Sequence, residues 1–113
     1  MAFSYSIGCN NTENDIHAAD CGLLSMIAAE LIDRVKDKTD GQDIESLTFL
    51  ESVENEFHTE AETTSDQWSD LVTFAPSDMS TDQLVKTALW AMEQMPVSCP
   101  LEYRSRMEAI GDR

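Results

Sequence analysis

Apolar residues recur at three- and four-residue intervals along the first third of the chain, which is the spacing of one face of an α-helix. The series runs from Ile16 through Leu23, Ile27 and Leu31 to Val35 and predicts a long amphipathic helix. Three further apolar residues widen this face beyond half of the circumference: Leu24, Met26 and Ile32. A helix with so broad an apolar face is expected to lie at the centre of the fold, with neighbours on two sides.

Two more helices are predicted in the middle of the chain. After a stop at residues 39–41, apolar spacing predicts a second helix over about residues 43–60. A capping-box pattern at residues 64–67 predicts the start of a short third helix with Trp68 on its inner side. That helix is expected to end before Pro76, because the residue before a proline is disfavoured in helical geometry.

The last third of the chain carries two further helix signatures. A capping-box pattern at residues 80–83 predicts the start of a fourth helix, which Pro96 ends. Pro100 suits the first turn of a last helix that continues to Ile110. Beyond residues 3–7 no segment shows sustained period-two alternation, and there is no internal repeat. The predicted fold class is therefore all-α: a compact bundle of four to five short helices with a short extended N-terminal arm.

The N-terminus has a different pattern. Phe3, Tyr5 and Ile7 alternate with small or polar residues, which predicts a short extended N-terminal arm over residues 1–12. An isolated strand is not stable alone, so the arm is expected to dock on the domain, pair with another copy or stay mobile. Residues 13–113 are expected to form a single helical domain, because a chain of 113 residues has the usual size of one domain.

Negative charge is concentrated in the middle of the chain. The formal net charge is −15. Residues 39–85 carry twelve carboxylates and no lysine or arginine, while the remainder has ten acidic against seven basic residues. Like charges three or four positions apart, such as Glu51 with Glu54 and Glu56 with Glu60, each destabilise a helix by about 0.2–0.5 kcal/mol. This cost favours a binding role, although a solvated acidic face without a partner, or adaptation to high salt, would also explain the charge.

The charge also bears on the classes of partner and on location. An acidic surface disfavours direct binding to nucleic acid or to anionic membranes and favours a basic protein. Residues 1–8 lack the pattern of a secretory signal, and no apolar stretch reaches the ~20 residues that span a bilayer. Cys9, Cys21 and Cys99 are odd in number and irregularly spaced, which predicts free thiols in a reducing, cytoplasmic environment.

One pair of residues has metal-ligand spacing. His17 and Cys21 are four positions apart on the predicted first helix and share a face. No C-x-x-C pair accompanies them, and Cys9, His58 and Cys99 belong to separate elements. The simpler interpretation is a half-buried histidine beside a small hydrophobic cysteine, so no metal site is predicted.

The sequence lacks the residues that other cofactor-binding and catalytic motifs require. An EF-hand loop around Gly41 would place Lys36 and Lys38 where carboxylates must stand. No serine lies in a G-x-S-x-G elbow, and no glycine-rich phosphate loop is present. Glutamates on the polar flank of a short helix are usually solvated, whereas acid–base catalysis needs a shifted pKa. The sequence therefore predicts a protein that is not an enzyme and has no cofactor.

The leading hypothesis is a non-enzymatic inhibitor or antagonist that binds a basic, nucleic-acid-handling protein by nucleic-acid mimicry. Carboxylates on successive helical turns, about 5.4 Å apart along the axis, can occupy lysines and arginines that otherwise bind phosphates. In size and charge alone, the chain resembles small acidic proteins of phages and mobile elements that block CRISPR or restriction machinery. The candidate contact residues are Glu51, Glu54, Glu56, Glu60, Glu62, Asp66 and Asp70.

A tryptophan could anchor such an interface, either Trp68 or Trp90. Trp90 falls outside the buried arc of its predicted helix, and a tryptophan on the polar side of an amphipathic helix can be an anchor. The alternative, with equal weight, is that the last helix covers it through Leu101, Tyr103 and Met107.

The second hypothesis is a helical adaptor or dimerisation module that binds through an apolar face, with the acidic segment serving solubility. The broad apolar stripe of the first helix and the arm containing Phe3, Tyr5 and Ile7 favour it. A homodimer formed by exchange of the arms belongs to this hypothesis. Substitution of Leu24 by lysine, or deletion of residues 1–8, would then abolish assembly.

Overall fold

The computed structural model describes residues 13–95 and 99–112. This part of the chain contains five α-helices and one 3-10 turn and no strand, which confirms the predicted all-α bundle. The elements are α1 (Glu13–Thr39), α2 (Ile44–Thr64), α3 (Trp68–Leu71), the 3-10 turn (Pro76–Asp78), α4 (Thr81–Gln94) and α5 (Leu101–Gly111). The predicted extended arm, residues 1–12, lies outside the described residues. No helix in the described ranges is long and apolar enough to cross a membrane.

α1 is the central helix, as its broad apolar face predicts. It contacts α2 most extensively and also packs against α3, the 3-10 turn and α4. Leu23, Leu24, Ile27 and Leu31 are all fully buried. Burying large aliphatic side chains stabilises a fold by about 1.5–3 kcal/mol each, so this helix provides much of the core. Most of its wide apolar stripe is therefore buried within the domain, while Ile16 at its start is 43% exposed.

The turn between α1 and α2 forms where the stop signal predicts it. Asp40 and Gly41 have φ of 52° and 73°, the left-handed conformation that ends many helices. The side chain of Asp43 accepts a hydrogen bond from the backbone N–H of Ser46 and caps α2. α2 then continues to Thr64, one turn beyond the predicted end.

The capping box predicted at residues 64–67 is wrong. Thr64 is still part of α2, and the residue that precedes α3 is Gln67, which makes no side-chain capping bond. α2 extends because Ala61 is buried in the core and its carbonyl accepts the backbone N–H of Ser65. The third helix is consequently a single turn that places Trp68 in the core.

α4 and α5 complete the bundle near their predicted positions. Ser80 and Gln83 form the predicted capping box, with side chain to backbone bonds in both directions. α4 packs against α1 and α5, and α5 also contacts α2. Met107 and Ile110 anchor α5 in the common core.

Candidate functional site

The exposed side of α2 carries carboxylates on two flanks with an uncharged ridge between them. At about 100° per residue, the exposed side chains of Thr48, Ser52, Asn55 and Thr59 form the ridge opposite the buried face. The buried face contains Ser46, Leu47, Phe49, Leu50, Val53, Phe57 and Ala61. Carboxylates on either side of the ridge therefore face different neighbouring helices.

The first flank lies on the side of α3. Glu51, Glu54 and Glu62 share it, with His58 between them. The ring of His58 packs edge to face with Trp68, with centroids 5.8 Å apart, and the indole Nε1–H of Trp68 donates to Glu62 Oε1 at 3.0 Å.

These two contacts hold α3 beside the flank, and the residues before and within α3 add Asp66 and Asp70, both exposed. We call the five carboxylates of this surface the acidic flank. Its members are Glu51, Glu54, Glu62, Asp66 and Asp70.

The second flank faces α5 and includes two predicted contact residues that do not belong to the acidic flank. Glu56 accepts a hydrogen bond from the Tyr103 hydroxyl at 2.8 Å. Glu60 contacts His17 and Cys21 of α1. The predicted set of seven carboxylates therefore does not converge on one surface, because Glu56 and Glu60 point about 120° or more away from Glu51 and Glu62 around the helix.

The two tryptophans differ in their access to solvent. Trp68 is only 6% exposed and lies in the core, which confirms its predicted inner position. It therefore offers little surface for its predicted role as an interface anchor. Trp90 is partly exposed and packs against the core. It is consequently the tryptophan with surface available to a partner.

The ion pairs that lysines and arginines form within the described residues lie away from the acidic flank. The arginine and lysine ion pairs in residues 13–95 and 99–112 are Arg34 with Glu30, Lys86 with Asp82, and Arg106 with Glu102. The basic group found beside the acidic flank is His58, whose Nε2 is 3.8 Å from Glu62 Oε1. Since neither lysine nor arginine forms an ion pair with it in this part of the chain, the flank presents nearly uncompensated negative charge.

A second cluster joins α1 to α2 at one end of the bundle. His17 Nε2 lies 2.8 Å from Glu60 Oε2 and 3.5 Å from Cys21 Sγ, and the Cys21 thiol donates to Glu60 Oε2 at 3.2 Å. Cys21 is fully buried, while the side chains of His17 and Glu60 are 33% and 38% exposed. The i,i+4 spacing predicted that His17 and Cys21 share a face, but Glu60 follows Cys21 by 39 residues. Only the packing of α2 on α1 brings it there.

The thiol in this cluster is not activated as a nucleophile. Burial raises the pKa of Cys21 well above its ordinary value of 9.0, and the hydrogen bond to Glu60 and the negative charge of that carboxylate raise it further. Reactive cysteines have a lowered pKa and an accessible sulfur. The cluster therefore lacks the character of a Cys–His catalytic pair, whereas its three donor types are those of metal sites.

The fold and its surface define a small acidic helical bundle with one nearly uncompensated carboxylate flank and a His–Cys–Glu cluster. Comparison with protein-family models, curated proteins and solved structures gives no match to this chain.

Proposed function

We propose that the protein is a non-enzymatic inhibitor that binds a basic, nucleic-acid-handling protein through the acidic flank. The observation that carries this proposal is that three exposed or half-exposed glutamates share one flank of α2, beside which Trp68 packs, and that two exposed aspartates lie before and within α3. No lysine or arginine of the described residues forms an ion pair with them. A cationic partner would supply the missing countercharge.

The spacing of the carboxylates supports mimicry of a phosphate backbone. Glu51, Glu54 and Glu62 extend along about 16 Å of helix axis. Each strand of a DNA duplex presents a phosphate about every 3.4 Å of its axis. A groove of lysines and arginines that normally follows such a strand would meet several carboxylates on the flank, with Asp66 and Asp70 continuing the charge beyond Glu62.

The mechanism is competitive. A surface of one sign accelerates encounter with an oppositely charged partner, and the effect weakens as salt increases. Once bound, the flank occupies cationic side chains that DNA or RNA needs. The partly exposed Trp90 is not on α2 or α3, so we assign the contact to the carboxylates rather than to a tryptophan anchor.

The adaptor hypothesis has lost one of its two supports. The broad apolar face of α1 is covered by the other helices apart from Ile16, and Leu24 is fully buried. Substitution of Leu24 by lysine would therefore disrupt the core rather than an interface. The other support, the arm of residues 1–12, lies outside the described residues.

The test is capture of a partner on the immobilised protein, with and without duplex DNA as competitor. We expect the captured protein to be basic and to be released by DNA and by added salt. The double variant Glu51→Lys/Glu54→Lys should abolish capture. Both residues are better choices than Glu62, because Glu62 also accepts a hydrogen bond from Trp68.

The matched control reverses two exposed acids on α1, in the variant Asp33→Lys/Asp37→Lys. It changes the net charge by the same amount but leaves the acidic flank intact, so capture should persist. Equal loss of capture in both variants would show that the interaction depends on net charge and not on the acidic flank. Full capture by Glu51→Lys/Glu54→Lys would show that the flank is not the interface.

A further inference from the structure

The cluster of His17, Cys21 and Glu60 plays no part in the proposed inhibitor function. Its three donor atoms are an imidazole nitrogen, a sulfur and a carboxylate oxygen, and they all lie within 4.8 Å of one another. Zinc in proteins is bound by these three kinds of ligand. A hydrogen-bonded cluster of this composition is therefore a candidate metal site.

The geometry fits tetrahedral coordination. Ligand atoms that bind zinc at about 2.0–2.3 Å with tetrahedral angles lie about 3.3–3.6 Å apart. The Cys21 Sγ to His17 Nε2 distance of 3.5 Å lies within this range. The Cys21 Sγ to Glu60 Oε2 distance of 3.2 Å is shorter and must open by about 0.3 Å. The His17 to Glu60 contact, at 2.8 Å, must open by about half an ångström. Both of these side chains are partly exposed.

We propose that His17, Cys21 and Glu60 bind a zinc ion, with the fourth position open to solvent. The buried sulfur fixes the inner side of the site, and the exposed edges of the other two ligands leave an approach from solvent. Met95 Sδ lies 3.6 Å from Cys21 Sγ, so a second sulfur atom, which is a soft ligand type, lies near the inner side of the site. Such surroundings favour zinc over magnesium or calcium, which take oxygen ligands.

A second histidine–glutamate pair shows that the cluster differs from an ordinary surface contact. His58 and Glu62 are four positions apart on α2, with 3.8 Å between Nε2 and Oε1, and both side chains are about half exposed. Helix spacing alone explains that pair, and no thiol accompanies it. The candidate zinc ligands come instead from two helices and include a fully buried cysteine.

Zinc at this position would tie the start of α1 to the end of α2. The ligands are separated by up to 43 residues in sequence, so they are not held together in the unfolded chain. A metal that binds the folded state alone raises its stability by mass action. Binding also replaces the thiol proton of Cys21 with the metal, which supplies the positive charge that thiolate and carboxylate together require.

The test uses cobalt(II) and zinc(II) salts with the reduced, full-length protein. Cobalt should give a thiolate-to-metal charge-transfer band and the visible absorption of tetrahedral cobalt, and zinc should displace it at one equivalent. Zinc should also raise the melting temperature in a concentration-dependent way. Absence of the charge-transfer band would overturn the proposal.

Substitution of each proposed ligand tests whether that residue binds the metal. Glu60→Gln and His17→Gln alter partly exposed side chains that the fold tolerates more readily than a change at Cys21. Each should weaken zinc binding by at least 10–100-fold, since even residues that merely support metal ligands account for about that much. Cys21→Ser should remove the cobalt charge-transfer band.

Matched controls separate the cluster from other donors. Glu62→Gln changes the comparable surface pair and should bind zinc like the wild type. Cys9→Ser, at a position outside the described residues, should retain the cobalt band. Loss of the band in Cys9→Ser, or unchanged zinc affinity in Glu60→Gln, would show that the assigned ligand set is wrong. None of these measurements requires a protein partner, so failure here leaves the inhibitor proposal separately testable.

Discussion

Gly22 of α1 and Trp68 of α3 are packed so closely that only a hydrogen atom fits on the glycine. A Cβ atom built on Gly22 would overlap the six-membered ring of Trp68, with Cδ2 at 2.8 Å. The ring is almost completely buried, so it cannot move aside without leaving the core. This glycine therefore allows α3 to lie against α1, and with it the part of the acidic flank that contains Asp66 and Asp70.

We expect Gly22→Ala to destabilise the fold. Overpacking a core costs about 1–3 kcal/mol, which exceeds the ~0.5–1 kcal/mol that alanine gains over glycine within a helix. Urea denaturation measures the difference. Gly111→Ala, at the end of α5, is the control. Its Cβ would lie 3.0 Å from Val85 Cγ1, so the loss of unfolding free energy should be smaller. A Gly22→Ala variant more stable than the wild type would contradict the placement of Trp68.

The hydrogen bond from Trp68 to Glu62 gives a second prediction. In Glu62→Ala the buried indole N–H loses its acceptor at 3.0 Å, and we expect a loss of about 1–3 kcal/mol in unfolding free energy. Glu62→Gln retains a carbonyl acceptor and should lose less. The exposed Glu51 provides the control, because Glu51→Ala should change stability by no more than about 0.5 kcal/mol. Equal stability of the two Glu62 variants would argue against the bond.

Local sequence signals predicted most of the fold. The apolar spacing of α1, the stop at Asp40 and Gly41, and the capping box of Ser80 and Gln83 each depend on neighbouring residues, and the structure confirms them. The capping-box pattern at residues 64–67 failed because it is also local, whereas the end of α2 is set by tertiary packing around Ala61.

The candidate sites depended on contacts that local patterns do not encode. What Glu51, Glu56 and Glu60 contact is decided by which helices pack beside each flank of α2, and the sequence of α2 does not give this. The His–Cys–Glu cluster needs the antiparallel packing of α1 on α2 that brings Glu60 to His17. A helical wheel of α2 would have separated its flanks, but not identified their neighbours.

Salt should stabilise the free protein. Its net charge of −15 makes the folded state repel itself, and the repulsion is screened as the Debye length falls from about 10 Å at 0.1 M to about 3 Å at 1 M salt. We expect the melting temperature to rise with sodium chloride. In Glu51→Lys/Glu54→Lys, whose net charge is four units less negative, the rise should be smaller. An equal rise would indicate that other effects of salt dominate.

Reversal of one charge on the acidic flank, in Glu51→Lys, should raise stability. Glu51 and Glu54 are three positions apart on α2, so Glu51→Lys converts a repulsive pair into an attractive one. Loss of the repulsion and gain of the attraction together correspond to about 0.4–1 kcal/mol at low salt. Measured unfolding free energies should show this gain. A destabilised Glu51→Lys variant would contradict the inference that the flank is uncompensated.

The raised pKa of the Cys99 thiol predicts that stability falls at alkaline pH. Burial raises the pKa of its thiol from 9.0 to about 12, and the negative charges of Glu56 and Glu60 add to this, while Arg104 opposes it. In the unfolded chain the thiol ionises near its ordinary pKa, so from about pH 9 upward the unfolded state binds fewer protons than the folded state. Stability is therefore unaffected by this group below pH 9 and decreases as the pH rises toward 12.

The measurement is the unfolding free energy between about pH 7 and pH 10.5, in the presence of a chelator and a reductant. Each thiol that ionises only when unfolded contributes a slope of about −1.4 kcal/mol per pH unit. Cys99→Ala should remove that contribution and leave the decrease due to Cys21 and Tyr103, whose pKa values are also raised. Identical slopes for the wild type and Cys99→Ala would mean that the Cys99 thiol ionises equally in both states, and hence that it is not shielded at the end of the bundle as its burial indicates.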